Sequence, residues 1–201
     1  MLTAVGDVMR RAYEKGWITT RDGNISLRRR NSDVLYITPS GWRKTIIHPE
    51  HIIRIKISGE GALTIPDGQK ASGEVEMHRL LQLENTVTRA VVHVHPTHIV
   101  AAMFAGWDLQ ELARLFPEVN RYTRVGPSVP VLPATSKELA EQTHTALTDV
   151  MGNRIYDIVG QGGHGVCAVA SDPWAAYEHI ERLDHICEIV LKSGVAPINA
   201  V

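Results

Sequence analysis

Residues 90–96 read Ala90-Val91-Val92-His93-Val94-His95-Pro96, an apolar run broken by two histidines and closed by a proline. The run predicts a β-strand over 90–95 that stops at Pro96, whose ring removes the donor a ladder needs. On both sides the pattern changes to the helical period. Upstream, Ser72 is placed to cap a helix with Glu74 and Glu76 in its first turn, where the macrodipole favours anions, and Val75, Leu80, Leu81 and Leu83 form its apolar stripe. Downstream, 97–105 predicts a short helix. A strand held between helices points to a sheet covered by helices rather than to a bundle or a sandwich.

Farther out the same alternation continues. Leu2, Val5, Val8, Met9, Ala12 and Tyr13 recur at helical spacing until Gly16 ends the segment. Strands are predicted over 25–28 and 34–37, joined by the polar turn Arg30-Asn31-Ser32-Asp33 and closed by Thr38-Pro39-Ser40-Gly41. Residues 52–57 alternate Ile with Arg and Lys, as a strand with one wet face does, and the glycine-rich stretch 59–68 follows as a hairpin or loop. A strand over 129–132, a helix over 136–148, strands over 155–159 and 166–170, and a long helix to about Lys192 complete the chain. Asp172 caps that last helix, and Pro173 sits where its missing N–H costs nothing. With no repeat or linker, the expectation is one α/β domain over 1–201, built on a mostly antiparallel or mixed sheet of about seven strands.

Composition narrows the class. At 201 residues, 44% hydrophobic and 21% charged, the chain can bury a core, which excludes disordered, collagenous and disulfide-stapled proteins. A net charge of -1 gives no global field to recruit nucleic acid or an anionic membrane. No apolar run approaches the roughly 18–20 residues that span a bilayer, and the N-terminal stretch lacks a signal-peptide core, so a cytoplasmic protein with no nucleic-acid or membrane partner is expected. Cys167 and Cys187 sit among apolar neighbours without metal spacing and read as buried thiols in a reducing compartment.

The ten histidines carry the chemical signal. Residues two apart on a strand point to one face, about 6.6 Å apart at Cα, so His93 and His95 can converge on one ion at about 2.0–2.1 Å. A wet strand face that happens to carry two histidines would read the same, so a third ligand must come from elsewhere. His164 is the candidate, because Gly160-Gln161-Gly162-Gly163-His164-Gly165 lets backbone and ion approach closely. That hexapeptide also matches G-x-G-x-x-G, but apolar residues 166–170 follow it as a strand where a dinucleotide fingerprint must open a helix. Glu74 can serve as a proton shuttle beside a divalent ion, or it can simply decorate a helix start. Gly23-Asn24-Ile25-Ser26, Thr38-Pro39-Ser40-Gly41 and Lys70-Ala71-Ser72-Gly73 are turns that could offer donors to an anion. Arg28-Arg29-Arg30 reads as a solvated turn, and Glu181 with His185 as an exposed couple. No spacing ties His48, His51, His78, His98, His144 or His179 to a site, so they are assigned to surface, capping or core.

Taken in order, Gly-Asn-x-Ser, Thr-Pro-Ser-Gly, Ser-x-Glu-x-x-x-His, His-x-His-Pro and His-Gly before a long helix resemble the class II aldolase and adducin head family, from about Asp7 to Ile189. The resemblance implies a single-domain α/β/α fold around a mostly antiparallel sheet, commonly assembled as a homotetramer. It implies a divalent metal, usually zinc, with manganese, cobalt or iron as alternatives, held by His93, His95 and His164, and Glu74 as acid/base. It implies a phosphate pocket at Asn24, Ser40, Gly41, Ser72 and Gly73. The activity implied is reversible cleavage of a small ketose phosphate to dihydroxyacetone phosphate and an aldehyde through an enediolate stabilised by the metal. Epimerase, dehydratase and decarboxylase relatives share that chemistry, and a non-catalytic adducin-like head would have no reason to keep the three histidines and Glu74 together. Two departures stand out. Gly73 replaces the second hydroxyl residue common before the catalytic Glu, and Pro133-Ala134-Thr135 lacks the tyrosine that fuculose-type enzymes place before Ala-Thr.

Overall fold

The computed structural model describes residues 1–83 and 89–197. Among them are the strands β1 (Asn24–Arg28), β2 (Val34–Ile37), β3 (Ile53–Ser58), β4 (Ala62–Thr64), β5 (Ala90–Val94), β6 (Ile158–Gln161) and β7 (Gly165–Ala170). They form one sheet in the order β4-β3-β2-β1-β5-β7-β6, with every neighbouring pair antiparallel. The helices are α1 (Leu2–Glu14), α2 (Val75–Leu83), α3 (Thr97–Phe104), α4 (Leu109–Arg114), α5 (Pro117–Tyr122), α6 (Lys137–Leu147) and α7 (Pro173–Ser193). This is the α/β architecture expected.

Two layers of helices clothe the sheet, and the strand alternation decides what each meets. Ile25, Leu27, Val92, Val94, Val166 and Ala168 face one side, where they pack with Val8 and Met9 of α1, Ile99 of α3, Leu112 of α4 and Ile180 and Leu183 of α7. Val91, Cys167 and Val169 face the other side, against Met77 and Leu81 of α2 and Ala140 and Leu147 of α6. Both faces of β5 are therefore covered and the whole strand is buried, so the wet-face alternative does not hold for His93, while His95 lies half-buried just beyond the strand. Asp172 caps α7 as the sequence suggests, whereas α2 begins only at Val75, so Glu74 precedes its first turn and donates its N–H to Ser72 Oγ at 3.3 Å. The Asp172 carboxylate accepts from Trp174 N and Ala175 N, both at 3.0 Å, ahead of Pro173, and Ser136 Oγ accepts from Leu139 N at 3.0 Å.

Several expectations are corrected. No strand forms over 129–132: Val129 makes a single parallel bridge to Gln161, because Pro130 and Pro133 have no N–H to continue a ladder. The strand expected over 155–159 starts only at Ile158, since Ile155 N and Tyr156 N turn back to the Leu147 carbonyl at 3.0 and 3.2 Å. β5 ends at Val94, because His95 N donates to Trp17 O at 2.9 Å instead of the sheet. Helices α4 and α5 were not expected. They are single short stretches, one capped by Asp108 and the other opened by Pro117. Glu181 does not pair with His185; its carboxylate meets Lys15 Nζ at 3.0 Å. Cys167 and Cys187 are buried free thiols whose burial pushes their pKa up.

Candidate functional site

Antiparallel register assembles the site at one end of the sheet's α2/α6 face. His93 on β5 lies opposite Asn24 on β1 and Cys167 on β7. The β6–β7 turn brings His164 back beside the end of β5. Gly165 makes that approach possible: a Cβ there would stand 2.5 Å from Val94 O and 2.6 Å from His95 Cδ2.

The three rings thus meet. His93, His95 and His164 have centroids 4.9, 4.8 and 5.1 Å apart, and one ligand nitrogen from each lies within 4.8 Å of the others. His93 Nδ1 donates to Val166 O at 2.9 Å, so its Nε2 carries the lone pair and faces His95 Nε2 at 3.0 Å. Burial, together with mutual repulsion among the rings, lowers the pKa of His93 well below the ordinary histidine value and that of His95 less far. Neutral imidazoles are the form a cation needs.

Glu74 stands beside them. Its Oε2 is 3.2 Å from His93 Nε2 and its Oε1 is 3.7 Å from His164 Nε2. The carboxylate is 8% exposed, and Oε1 has no hydrogen-bond partner. A buried carboxylate oxygen left without a donor, facing converging nitrogens, fits a cation better than it fits a finished protein core. The donor set therefore suits a divalent metal.

A cavity of about 220 Å³ opens over this cluster. It is lined by the three histidines and Glu74 and also by Asn24, Ser40, Gly41, Ser72 and Gly73, so all nine residues singled out in the sequence border one space. Glu76 lies outside it and binds Arg79 through contacts of 2.6 and 2.8 Å. Among the lining residues, Arg21, Asp22 and Lys44 drew no notice in the sequence, and Thr135 entered only within Pro133-Ala134-Thr135. Lys44 is 2% exposed, with Nζ only 3.4 Å from Pro39 O and 3.3 Å from Trp42 O; among the described residues no carboxylate pairs with it, and burial lowers its pKa. Its signal would have been a cation three residues beyond the Ser40-Gly41 turn. Thr135 holds φ at +63°, uncommon for a β-branched residue, and its methyl would meet a Cβ at position 73 at 3.0 Å. A side chain at position 73 would therefore crowd Thr135.

A model of the class II aldolase and adducin N-terminal domain matches residues 3–191. The chain belongs to that family. It is 27% identical over 179 residues to the L-fuculose phosphate aldolase of Methanococcus maripaludis, covering 88% of both chains. It is 26% identical over 191 residues to the 3-oxo-tetronate 4-phosphate decarboxylase of Pectobacterium atrosepticum, covering 90% of this chain and 79% of that one. Its fold matches the crystal structure of L-fuculose-1-phosphate aldolase from Thermus thermophilus with a TM-score of 0.77 and 26% identity, covering 96% of this chain and 93% of the other. Family relatives also include probable methylthioribulose-1-phosphate dehydratases. The fold and the enzymatic family are thereby fixed, while the reaction is left to chemistry. No helix among the described residues is long and apolar enough to cross a membrane.

Proposed function

We propose that the chain is a divalent-metal-dependent carbon–carbon lyase that reversibly cleaves a small ketose phosphate to dihydroxyacetone phosphate and an aldehyde. One observation carries the reading: Glu74 borders a single cavity together with three converging imidazoles, the Ser40-Gly41 turn, Ser72 and Lys44. His93, His95 and His164 hold the cation, zinc in the first instance, which when bound supplies positive charge to the oxygens on which negative charge develops. Glu74 moves the proton between substrate and solvent, Asn24 Nδ2 steadies it by donating to Oε2 at 2.7 Å, and Lys44 supplies charge near the phosphate turn. The functional unit spans 1–201 and works as a cytoplasmic homotetramer.

A second reading has its own support. Pro133 stands where fuculose-type enzymes carry a tyrosine, and no tyrosine lines the cavity among the described residues. Decarboxylation releases carbon dioxide and needs no acid or base on a departing hydroxyl carbon. The decarboxylase relative makes a 3-oxo acid phosphate the substrate for this alternative.

A panel of ketose phosphates, free ketoses and a 3-oxo-tetronate 4-phosphate, run with and without chelator, separates the two. The lyase reading expects chelator-sensitive release of dihydroxyacetone phosphate from a ketose phosphate. Carbon dioxide release from the acid alone overturns it in favour of decarboxylation. In Glu74→Gln, turnover should fall by about 10²–10⁴-fold with metal retained; unchanged turnover removes Glu74 from the reaction.

A further inference from the structure

Glu74 is the end of a buried chain of side chains that the sequence does not connect. Asn24 Nδ2 donates to Glu74 Oε2, and Asn24 Oδ1 meets His78 Nε2 in a close contact. His78 Nδ1 lies 2.6 Å from Ser26 Oγ, which in turn receives Gln82 Nε2 at 2.7 Å. Ser26 and His78 are wholly buried, and Gln82 and Asn24 nearly so.

The direction of every bond follows from one end. An ionised carboxylate only accepts, so the amide nitrogen of Asn24 must face Glu74 and its oxygen must face His78. That oxygen requires a proton on His78 Nε2. Burial drives the pKa of His78 down to about 3, so the ring is neutral and Nδ1 bears a lone pair. Ser26 must then donate its hydroxyl proton to Nδ1, and its oxygen is left to accept from Gln82. All donors point toward Glu74, and each bond polarises the next in the same sense.

We infer that His78 is a positioning residue: held as the Nε2–H tautomer by Ser26, it fixes the Asn24 amide and thereby aims the Glu74 carboxylate at the substrate. The Ser-x-Glu-x-x-x-His spacing has a cause in this arrangement. Glu74 and His78 sit one helical turn apart at the start of α2, so both reach β1 on the same side, where Asn24 and Ser26 alternate onto one face. This inference rests on Glu74 as acid/base, but its central claim concerns a tautomer that can be read without turnover.

Two substitutions and one spectrum test it on the zinc-loaded full chain. His78→Gln keeps one donor and one acceptor and should hold kcat within about threefold, whereas His78→Leu should lower kcat by about 10–100-fold. In His78→Leu, KM and metal content should stay near the wild-type values, a split that general loosening of the fold would not produce. Equal loss in both variants, or none in His78→Leu, overturns the assignment. Nitrogen-15 NMR of the wild-type imidazole decides the case if His78→Leu does not fold. Protonated Nε2 with bare Nδ1 near neutral pH supports the chain, and the opposite tautomer or an imidazolium overturns it. Should Glu74→Gln turn over normally while the spectrum shows the expected tautomer, the acid/base reading fails and the chain of bonds stands.

Discussion

β5 presents Ala90, Val92 and Val94 to the helices α1, α3 and α7, and Val91 and His93 to α2 and α6. The first face is mostly hydrocarbon, with Asp184 of α7 buried beside it and accepting from Trp17 Nε1 at 3.0 Å. On the second, Asn24, Ser26, His78 and Gln82 are buried in one chain of hydrogen bonds, and His93 is buried opposite Asn24. Polar groups are expensive to bury unless paired, so the second face gives up part of the transfer free energy that the first collects. One strand thus anchors the fold with one side and organises the candidate chemistry with the other. Substitutions on the two sides should fail in different ways.

The largest effect should come from the polar side. His95→Ala removes a direct ligand, so metal per chain should fall well below one and turnover by more than about 10²-fold, beyond the cost of losing an outer-shell partner. Thermal stability of the chelator-treated protein should change little, because His95 is only half-buried. Full metal content measured on the purified variant would show that the coordination set is wrong.

On the apolar side the signature reverses. Ile180, with no exposed surface, sits in the middle of α7 against the sheet. Ile180→Ala should cost about 2–5 kcal/mol of unfolding free energy, through lost transfer and a residual cavity, or roughly 2–4 °C of Tm for each kcal/mol. Metal content and kcat per folded molecule should hold. A variant that lost activity in proportion to metal, with its melting curve unmoved, would erase the distinction between the two faces.

The same contrast explains what the sequence made legible. Apolar periodicity locates α1, α7 and the central strands, because burial of one stripe or one face is a local pattern with a fixed period. It fails over 129–132, where Val129, Val131 and Leu132 look like a strand although the two prolines forbid the ladder, and over α4 and α5, which are too short to show a period. His93, His95, His164 and Glu74 were legible through spacing and family motifs. His78 stands in the Ser-x-Glu-x-x-x-His motif, but its role was not legible, since its partners Asn24 and Ser26 lie more than fifty positions away in the chain and become neighbours only through the placement of α2 over β1. Lys44 escaped notice for a related reason: a lysine in a turn looks solvated until the fold covers it.

Acid stability offers the finest discrimination. His78 is neutral in the folded protein down to about pH 3, whereas in the unfolded chain it takes up a proton near the ordinary value of 6.5. Between those values the unfolded state binds the extra proton, so stability present above pH 6.5 is lost as pH falls, by up to about 1.4 kcal/mol per pH unit from this one group. His78→Gln removes the titrating group and keeps a donor and an acceptor. Its stability between pH 6.5 and 4.5, measured by urea unfolding of chelator-treated protein, should therefore fall less steeply than that of the wild type. Identical slopes would mean that His78 takes up its proton as readily in the folded state, with Nδ1–H then donating to Ser26 Oγ and the Ser26 hydroxyl proton turned away from the ring, which ends the role of Ser26 in holding the tautomer.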